Sequence, residues 1–542
     1  MSRIARFFLT LLFGYLCMVG VTAASAFYQS IWGESYYMAN GDSAQSLFDQ
    51  RGSAVLATQL AEHGLAWQNG QLLHAGQPMA SYTDNRVTVF RPVETSYWLH
   101  SGMVRMPALI AGLLVMVLVW RRGDPSHLMR RLRSSLAWSR PLDMVIIVGL
   151  GVWCLLKVGV IDQPAFGAVV RGLQFGLNYY VHDILVGTTG QLTKFPYNPL
   201  SLFWLQSLAV IDRDFQMLGL HLHSYALVSL SIFAAYFWLC LELTALLRTD
   251  WRGSVRALFF LLLLNPFGLY YTIFLGQVDI IAVALLVSGS RRLLHSRVSF
   301  AGLGLIVLGL VFAKPQHALL IPAMMIALFA VHSHALKGRV LLVTTVVALV
   351  GIGVYWLYGL IPAFADSLAT NPQAARIGWA IWFHLFGDAV VINRPLAFML
   401  ICFLVLAYRV RAVKDAYDTW KVVVFSVAAL TAWFQASYAH TFGISILMYP
   451  AMMLMVIESE DYWRATGLWL SSILLLVGWG TGAVGDASQV LGLSLFTPER
   501  VQSLILGGIN YPSLLATVET GAYIAFGVLL LLRLLSNEDR GR

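Results

Sequence analysis

The chain alternates long apolar runs with short breaks rich in arginine. The runs lie near residues 6–28, 103–120, 142–161, 222–247, 254–270, 277–292, 298–313, 316–332, 339–361, 394–409, 420–437, 443–457, 463–480 and 515–534. A run of about 18 or more apolar residues is long enough to cross a bilayer as a helix. The pattern therefore predicts an all-α polytopic membrane protein with about 14 transmembrane helices. The stretch KFPYNPLSLF, from Lys194 to Phe203, fits neither run nor break. Its prolines are poor material for a span, and it is too apolar for an ordinary loop.

Basic residues collect in loops that stay in the cytoplasm. Arg121, Arg122, Arg130, Arg131, Arg133 and Arg140 mark one such loop, and Arg248, Arg252 and Arg256 another. Arg291, Arg292 and Arg297 continue the series, followed by Lys337 with Arg339, then Arg409, Arg411 and Lys414; Arg533 opens a tail. The alternation holds only if segment 197–211 does not cross. That segment is predicted to be a re-entrant or interface-lying helix on the outer side. Backbone that turns back at membrane depth is tolerated only where protein buries it or water reaches it, so the segment points to a cavity.

The same map divides the chain. A first transmembrane helix (1–29) leads to an outer insert (30–102). A second helix with its basic cytoplasmic loop follows (103–140), then a module at 141–361, a C-terminal transmembrane module at 362–534 and a tail at 535–542. In the insert, Trp67-Gln68-Asn69-Gly70-Gln71-Leu72 predicts a β-hairpin around an Asn-Gly turn. Residues 162–221 form a second long outer region. Arg3 and Arg6 precede the first apolar run, and Ala24-Ser25-Ala26 resembles a signal-peptidase site. The run continues past a usual signal core, which favours an uncleaved first span.

Composition agrees with this reading. The chain is 58% hydrophobic and 12% charged, with a mean hydropathy of +0.71, where a soluble domain carries about 25% charged residues. The net charge of +9 sits in the loops that set orientation, so it implies no nucleic acid. Cys17, Cys154, Cys240 and Cys402 all fall in apolar segments, which suits core residues and neither a disulfide framework nor a zinc site. The chain shows no tandem repeat, and it has no phosphate-binding loop or dinucleotide fingerprint, so ATP-driven transport lacks its usual signature.

Polar groups near hydrocarbon are costly, so their positions carry information. On the outer side they converge in four places. Asp162 follows the third run, with Arg171, His182 and Asp183 later in the same loop. Asn265-Pro266 and Gly276-Gln277-Val278-Asp279 bracket the next outer turn. Lys314-Pro315-Gln316-His317 sits between two runs, and Tyr438-Ala439-His440-Thr441 joins two more. Structural roles compete at each. Asp162 suits a helix cap, Gln277 and Asp279 a helix N-terminus, Lys314 a snorkelling cation, and His440 a packing residue. Their shared membrane face points instead to group transfer from a lipid phosphate. A carboxylate there would take the proton of an attacking hydroxyl. Arg171, Lys314 and His440 would stabilise a departing phosphate.

Four segments carry a resemblance. FPYNPLSLF resembles the YPPL-type segment that closes the first catalytic loop of GT-C membrane glycosyltransferases. LNPFGLYYTIFLGQVDIIAVALL, AKPQHALLIPAMM and YAHTFGISILMYPAMML resemble that superfamily's later NP…GQ, lysine-turn and histidine-loop segments, in the same order over about residues 142–457. The nearest likeness is to polyprenyl-phosphate-mannose-dependent mannosyltransferases. The resemblance implies a GT-C-like bundle with its catalytic module at 141–361, in an inner membrane, with the active site facing the periplasm. It implies an inverting transfer of a sugar, mannose first, from a polyprenyl-phosphate donor to a glycan or lipid-linked acceptor.

Asp162 is then the base by its place after a span, with Asp183 second. Arg171, His182, Tyr197, Asn198, Gln277, Asp279, Lys314, Gln316, His317 and His440 become donor- or substrate-binding residues. No cofactor and no metal is implied. Asn198 departs from the proline pair of the YPPL type. The insert before the module also allows an alignment with Glu34 or Asp42 as the acid, at a much greater distance from Tyr197. Two rival readings remain: a transporter or flippase for a lipid-linked saccharide, and a polysaccharide polymerase or ligase.

Overall fold

The computed structural model describes residues 3–32, 38–39, 65–68, 71–74, 77–83, 86–89, 102–122, 141–156, parts of 166–173, 184–186, 191–193, 197–220, most of 222–269, residue 272, 276–294, 299–312, most of 320–360, 413, 415–437, 447–458 and 530. The described chain is mostly helical and forms two compact units, Met1–Ser231 with Tyr358–Asn371, and Ile232–Leu357 with Pro372–Arg542. Helices Phe7–Ser25, Ala226–Leu247 and His334–Tyr358 are long and apolar enough to cross a membrane; Met106–Trp120, Pro141–Leu156 and Phe300–Val311 are shorter apolar helices. The predicted spans at 394–409 and 463–480, and all but Leu530 of 515–534, lie outside the described residues.

The first unit opens with α1 (Arg3–Trp32). Strand β1 (Met38–Ala39) follows, then β2 (Leu65–Gln68), β3 (Gln71–His74), β4 (Gln77–Thr83) and β5 (Arg86–Val89). Strands β2 to β5 form an antiparallel meander in chain order, with Gln68 opposite Gln71 on either side of Asn69-Gly70. Helices α2 (Gly102–Arg122) and α3 (Pro141–Leu156) come next. Strands β6 (Ile184–Val186) and β7 (Gln191–Thr193) pair antiparallel, and β1 joins them parallel to β6, Met38 opposite Ile184. One small sheet thus ties Met38–Ala39 to Ile184–Val186 and Gln191–Thr193.

Helices α1 and α2 pack closely because glycine lets their backbones meet. A Cβ at Gly112 would lie 2.8 Å from the Gly14 carbonyl oxygen, and one at Gly14 would strike Met116. Their outward faces carry exposed Phe7, Phe8, Leu11, Leu12 and, on α2, Ile110, Leu113, Leu114. Apolar exposure of that extent suits lipid contact.

Helix α4 (Pro199–Met217) runs six residues beyond the expected 197–211. Its polar end, Asp212-Arg213-Asp214, reads as loop in sequence, yet the helix continues until Gly219 supplies a left-handed residue (φ 79°). There Leu220 N–H donates to Phe215 O at 2.9 Å and Gly219 N–H to Gln216 O at 3.0 Å, the paired bonds of a glycine-terminated helix. The helix is continuous and is not among those with the composition of a span. It packs on α1 through Val210 against Val19 and Ala23, with Tyr15, Phe203 and Ile211 around them.

The second unit contains α5 (Ala226–Leu247) from Ile232 onward, α6 (Val255–Leu263), α7 (Pro266–Leu269) and α8 (Asp279–Leu293). It continues with α9 (Phe300–Val311), α10 (Leu320–Ala330), α11 (His334–Gly359) as far as Leu357, α12 (Ala416–Ser437) and α13 (Tyr449–Glu458). The run expected as one helix over 254–270 is two, broken at Asn265-Pro266. Helices α8 and α9 lie antiparallel at glycine contacts: a Cβ on Gly289 would meet Gly302 O at 2.7 Å, and one on Gly309 would meet Ala282 O at 2.9 Å. Tyr355 of α11 donates to Leu310 O of α9 at 3.2 Å, and Val413 N–H to Ala330 O at 2.7 Å ties the end of α10 to the residues before α12.

Candidate functional site

Of the residues read as a site, Asp162, Asp183, Arg171, His182, Lys314, Gln316, His317 and His440 lie outside the described residues, as do Glu34 and Asp42. Tyr197 and Asn198 fall in the first unit, Gln277 and Asp279 in the second. All four are buried. The structure brings Tyr197 and Asn198 together at the start of α4, and Gln277 and Asp279 together at the start of α8.

Asn198 stands at the N-cap of α4 with φ −61° and ψ 154°, and Pro199 follows as the first helical residue. Proline suits that position because its missing N–H would have no helical acceptor. The Asn198 carbonyl accepts from Ser201 N–H at 2.9 Å, yet its side chain makes no capping bond. The Tyr197 ring meets Phe166 with centroids 5.4 Å apart.

One turn and more along α4, buried Gln206 donates from Nε2 to the Leu173 carbonyl at 3.5 Å. Phe166, Val169, Val170 and Leu173 are all buried and recur at helical spacing. Phe166 and Leu173, the two ends of this apolar stripe, thus contact Tyr197 just before α4 and Gln206 within it. Farther along, Asp212 accepts from Gln216 at 2.9 Å, and Asp214 accepts from Tyr15 of α1 at 3.2 Å.

In the second unit, Asp279 is the first residue of α8, after Gly276 in a left-handed conformation (φ 64°). A carboxylate in the first turn is favoured by the positive end of the helix dipole, which helps offset its burial. Asn265 caps α7: its Oδ1 accepts from Phe267 N–H at 3.0 Å and Gly268 N–H at 3.2 Å. Asn265-Pro266, read in sequence as part of an outer polar turn, thus has a structural role as a helix break.

Sequence reading missed two groups. Gln206 is fully buried on α4, and nothing in its local pattern marks it. Glu242 lies inside α5 and is 7% exposed. It forms an ion pair with Arg291, and accepts from Trp238 Nε1 at 3.1 Å and Ser288 Oγ at 3.2 Å. An acid within an apolar run, LCLELTALL, is the signal that would have found it.

Among the described residues no group of three His, Cys, Asp or Glu side chains is placed to hold a metal ion. Comparisons with protein-family models, with characterised proteins and with solved structures find no match.

Proposed function

We propose that the chain is a multi-pass membrane glycosyltransferase of the GT-C kind, working at the outer face of an inner membrane. It moves a sugar, mannose first, from a polyprenyl-phosphate donor to a glycan or lipid-linked acceptor. The observation that carries this reading is the seating of Tyr197-Asn198-Pro199. The segment that resembles the close of a catalytic loop is buried, opens a helix, and grips the preceding stretch through the Tyr197–Phe166 and Gln206–Leu173 contacts.

In this reading Asp162 takes the proton of an acceptor hydroxyl as its oxygen attacks the anomeric carbon. The bond from that carbon to the phosphate oxygen breaks on the opposite face, and configuration inverts. Arg171, Lys314 and His440 offset the charge on the departing phosphate. Asn198, Gln277, Asp279, His182, Gln316 and His317 are the further candidates for binding donor or acceptor hydroxyls.

The test is transfer by the purified protein in lipid nanodiscs, with labelled polyprenyl-phosphate sugars and an extract of the native cells as acceptor source. A labelled product that is lost in Asp162→Asn supports the enzyme and its base. A product that survives in Asp162→Asn but not in Asp183→Asn moves the base to Asp183. Transfer only from a lipid diphosphate saccharide favours a polymerase or ligase. Movement of a fluorescent lipid-linked saccharide with no product favours a flippase.

A further inference from the structure

We propose that the arginine-bearing ends of α5 and α8 form a binding site for the phosphate headgroup of an anionic lipid. Here Arg291 engages Glu242 through Nε and Nη2, while Arg292 bonds the Ser288 hydroxyl and carbonyl from Nη1. Ser288 in turn donates to Glu242, so both guanidinium groups belong to one network. Arg292 meets no carboxylate among the described residues, and Nη1 of Arg291 has no described partner.

Charge decides what such a site takes. Two guanidinium groups face one carboxylate and the C-termini of α5 and α8, each worth about −0.5 of a charge, and Arg248 directly after α5 adds a third cation, so a net positive charge remains. Arg291 is 31% exposed along its side chain, so solvent or a headgroup reaches it. A guanidinium edge matches a phosphate by paired N–H···O bonds.

Depth decides the source. Glu242 stands five residues before the end of a helix with the length and composition of a span, about 7 Å along its axis. That level is just inside the hydrocarbon boundary, but Arg291 and Arg292 close the apolar run 277–292, where the boundary with the headgroups lies. By the arginine pattern of the sequence this face is cytoplasmic, the side on which basic pockets between helices meet anionic headgroups. The site is thus remote in chemistry from the proposed transfer reaction and stands whether or not that reading does.

Native mass spectrometry of the full-length protein from mixed micelles of phosphatidylglycerol and phosphatidylcholine tests this. The wild type is expected to retain phosphatidylglycerol preferentially, with retention falling as salt rises. Arg292→Gln is expected to lower that retention about fivefold, Arg292→Lys less, and Lys337→Gln not at all. Equal retention of the two lipids by the wild type, or unchanged retention in Arg292→Gln, overturns the site. If Arg292→Gln does not fold, salt-insensitive retention by the wild type overturns it equally. If inorganic phosphate alone raises the unfolding temperature as much as phosphatidylglycerol does, the ligand is a soluble phosphate and the lipid assignment falls.

Discussion

The Tyr236 hydroxyl donates to the Leu262 carbonyl oxygen at 2.7 Å, and the Tyr449 hydroxyl donates to the same oxygen at 2.7 Å. The reason lies four residues along, where Pro266 has no N–H to offer that carbonyl. Asn265 N–H still reaches it at 3.2 Å in a tighter turn. Phe267 N–H turns instead to the Asn265 side chain, and the Leu263 oxygen it leaves lies 3.2 Å from the Tyr236 hydroxyl. A break in an apolar helix is thus completed by side chains from two other helices, as backbone away from water requires.

Tyr236→Phe is expected to destabilise the protein by about 1–2 kcal/mol, the cost of leaving a buried acceptor short of a donor. Because Tyr449 serves the same oxygen, the loss in Tyr236→Phe with Tyr449→Phe should exceed the sum of the single losses. Unfolding of the four proteins in one detergent measures this coupling. Additivity within about 0.5 kcal/mol would show that the hydroxyls act independently.

The Arg291–Glu242 pair makes an asymmetric prediction. Arg291→Gln leaves Glu242 buried without its guanidinium, whereas Glu242→Gln leaves Arg291 with a partly exposed head that water can solvate. Removing one partner of a fully buried pair costs about 3–5 kcal/mol, and partial exposure scales that down. Arg291→Gln should therefore lower the unfolding temperature more than Glu242→Gln does. The reverse order in thermal unfolding would mean that the carboxylate is reached by water in the membrane-embedded protein.

Much of the scaffold is legible in the sequence, because burial in lipid or protein leaves a local trace. The apolar runs at 6–28, 103–120 and 222–247 match α1, α2 and α5 within a few residues. The break at Asn265-Pro266 is passed over by the run expected across 254–270, although proline and a capping asparagine are the chemistry that stops one helix and starts another. What repairs the break is not legible, since Tyr449 lies 187 residues from Leu262. The end of α4 was hidden by Asp212-Arg213-Asp214, whose charges mimic a loop while the true stop is Gly219. At the candidate site, polar residue types and their order are visible. The grip of Gln206 on Leu173 is not, because no periodicity encodes a single long-range amide bond.

Close packing of α1 on α2 separates two glycines that a sequence treats alike. A side chain at Gly112 would meet Gly14 O at 2.8 Å, whereas at Gly20 a Cβ meets nothing within 4 Å. Gly20→Ala should stabilise the helix by about 0.5–1 kcal/mol through reduced backbone freedom. Gly112→Ala should lose stability instead, because two backbones must part. Unfolding temperatures of the two variants check the opposite signs, and a shared sign would mean that the helices do not meet at Gly14 and Gly112.

The last prediction concerns Asn198, where this chain departs from the YPPL-type segment. Its φ of −61° already matches that of proline, and its side chain does not cap α4. Asn198→Pro therefore restores the family-like pair at a φ that residue 198 already adopts. If residue 198 only opens the helix, the variant should keep both its fold and any transfer activity. In the proposed reading the asparagine amide contacts donor or acceptor, so transfer should fall about tenfold while the unfolding temperature holds, the worth of one hydrogen bond to a polar ligand. Measuring both on the same preparation separates the outcomes. Lost activity at constant stability keeps Asn198 in the site, and unchanged activity removes it and leaves Tyr197 as the segment's contact with substrate.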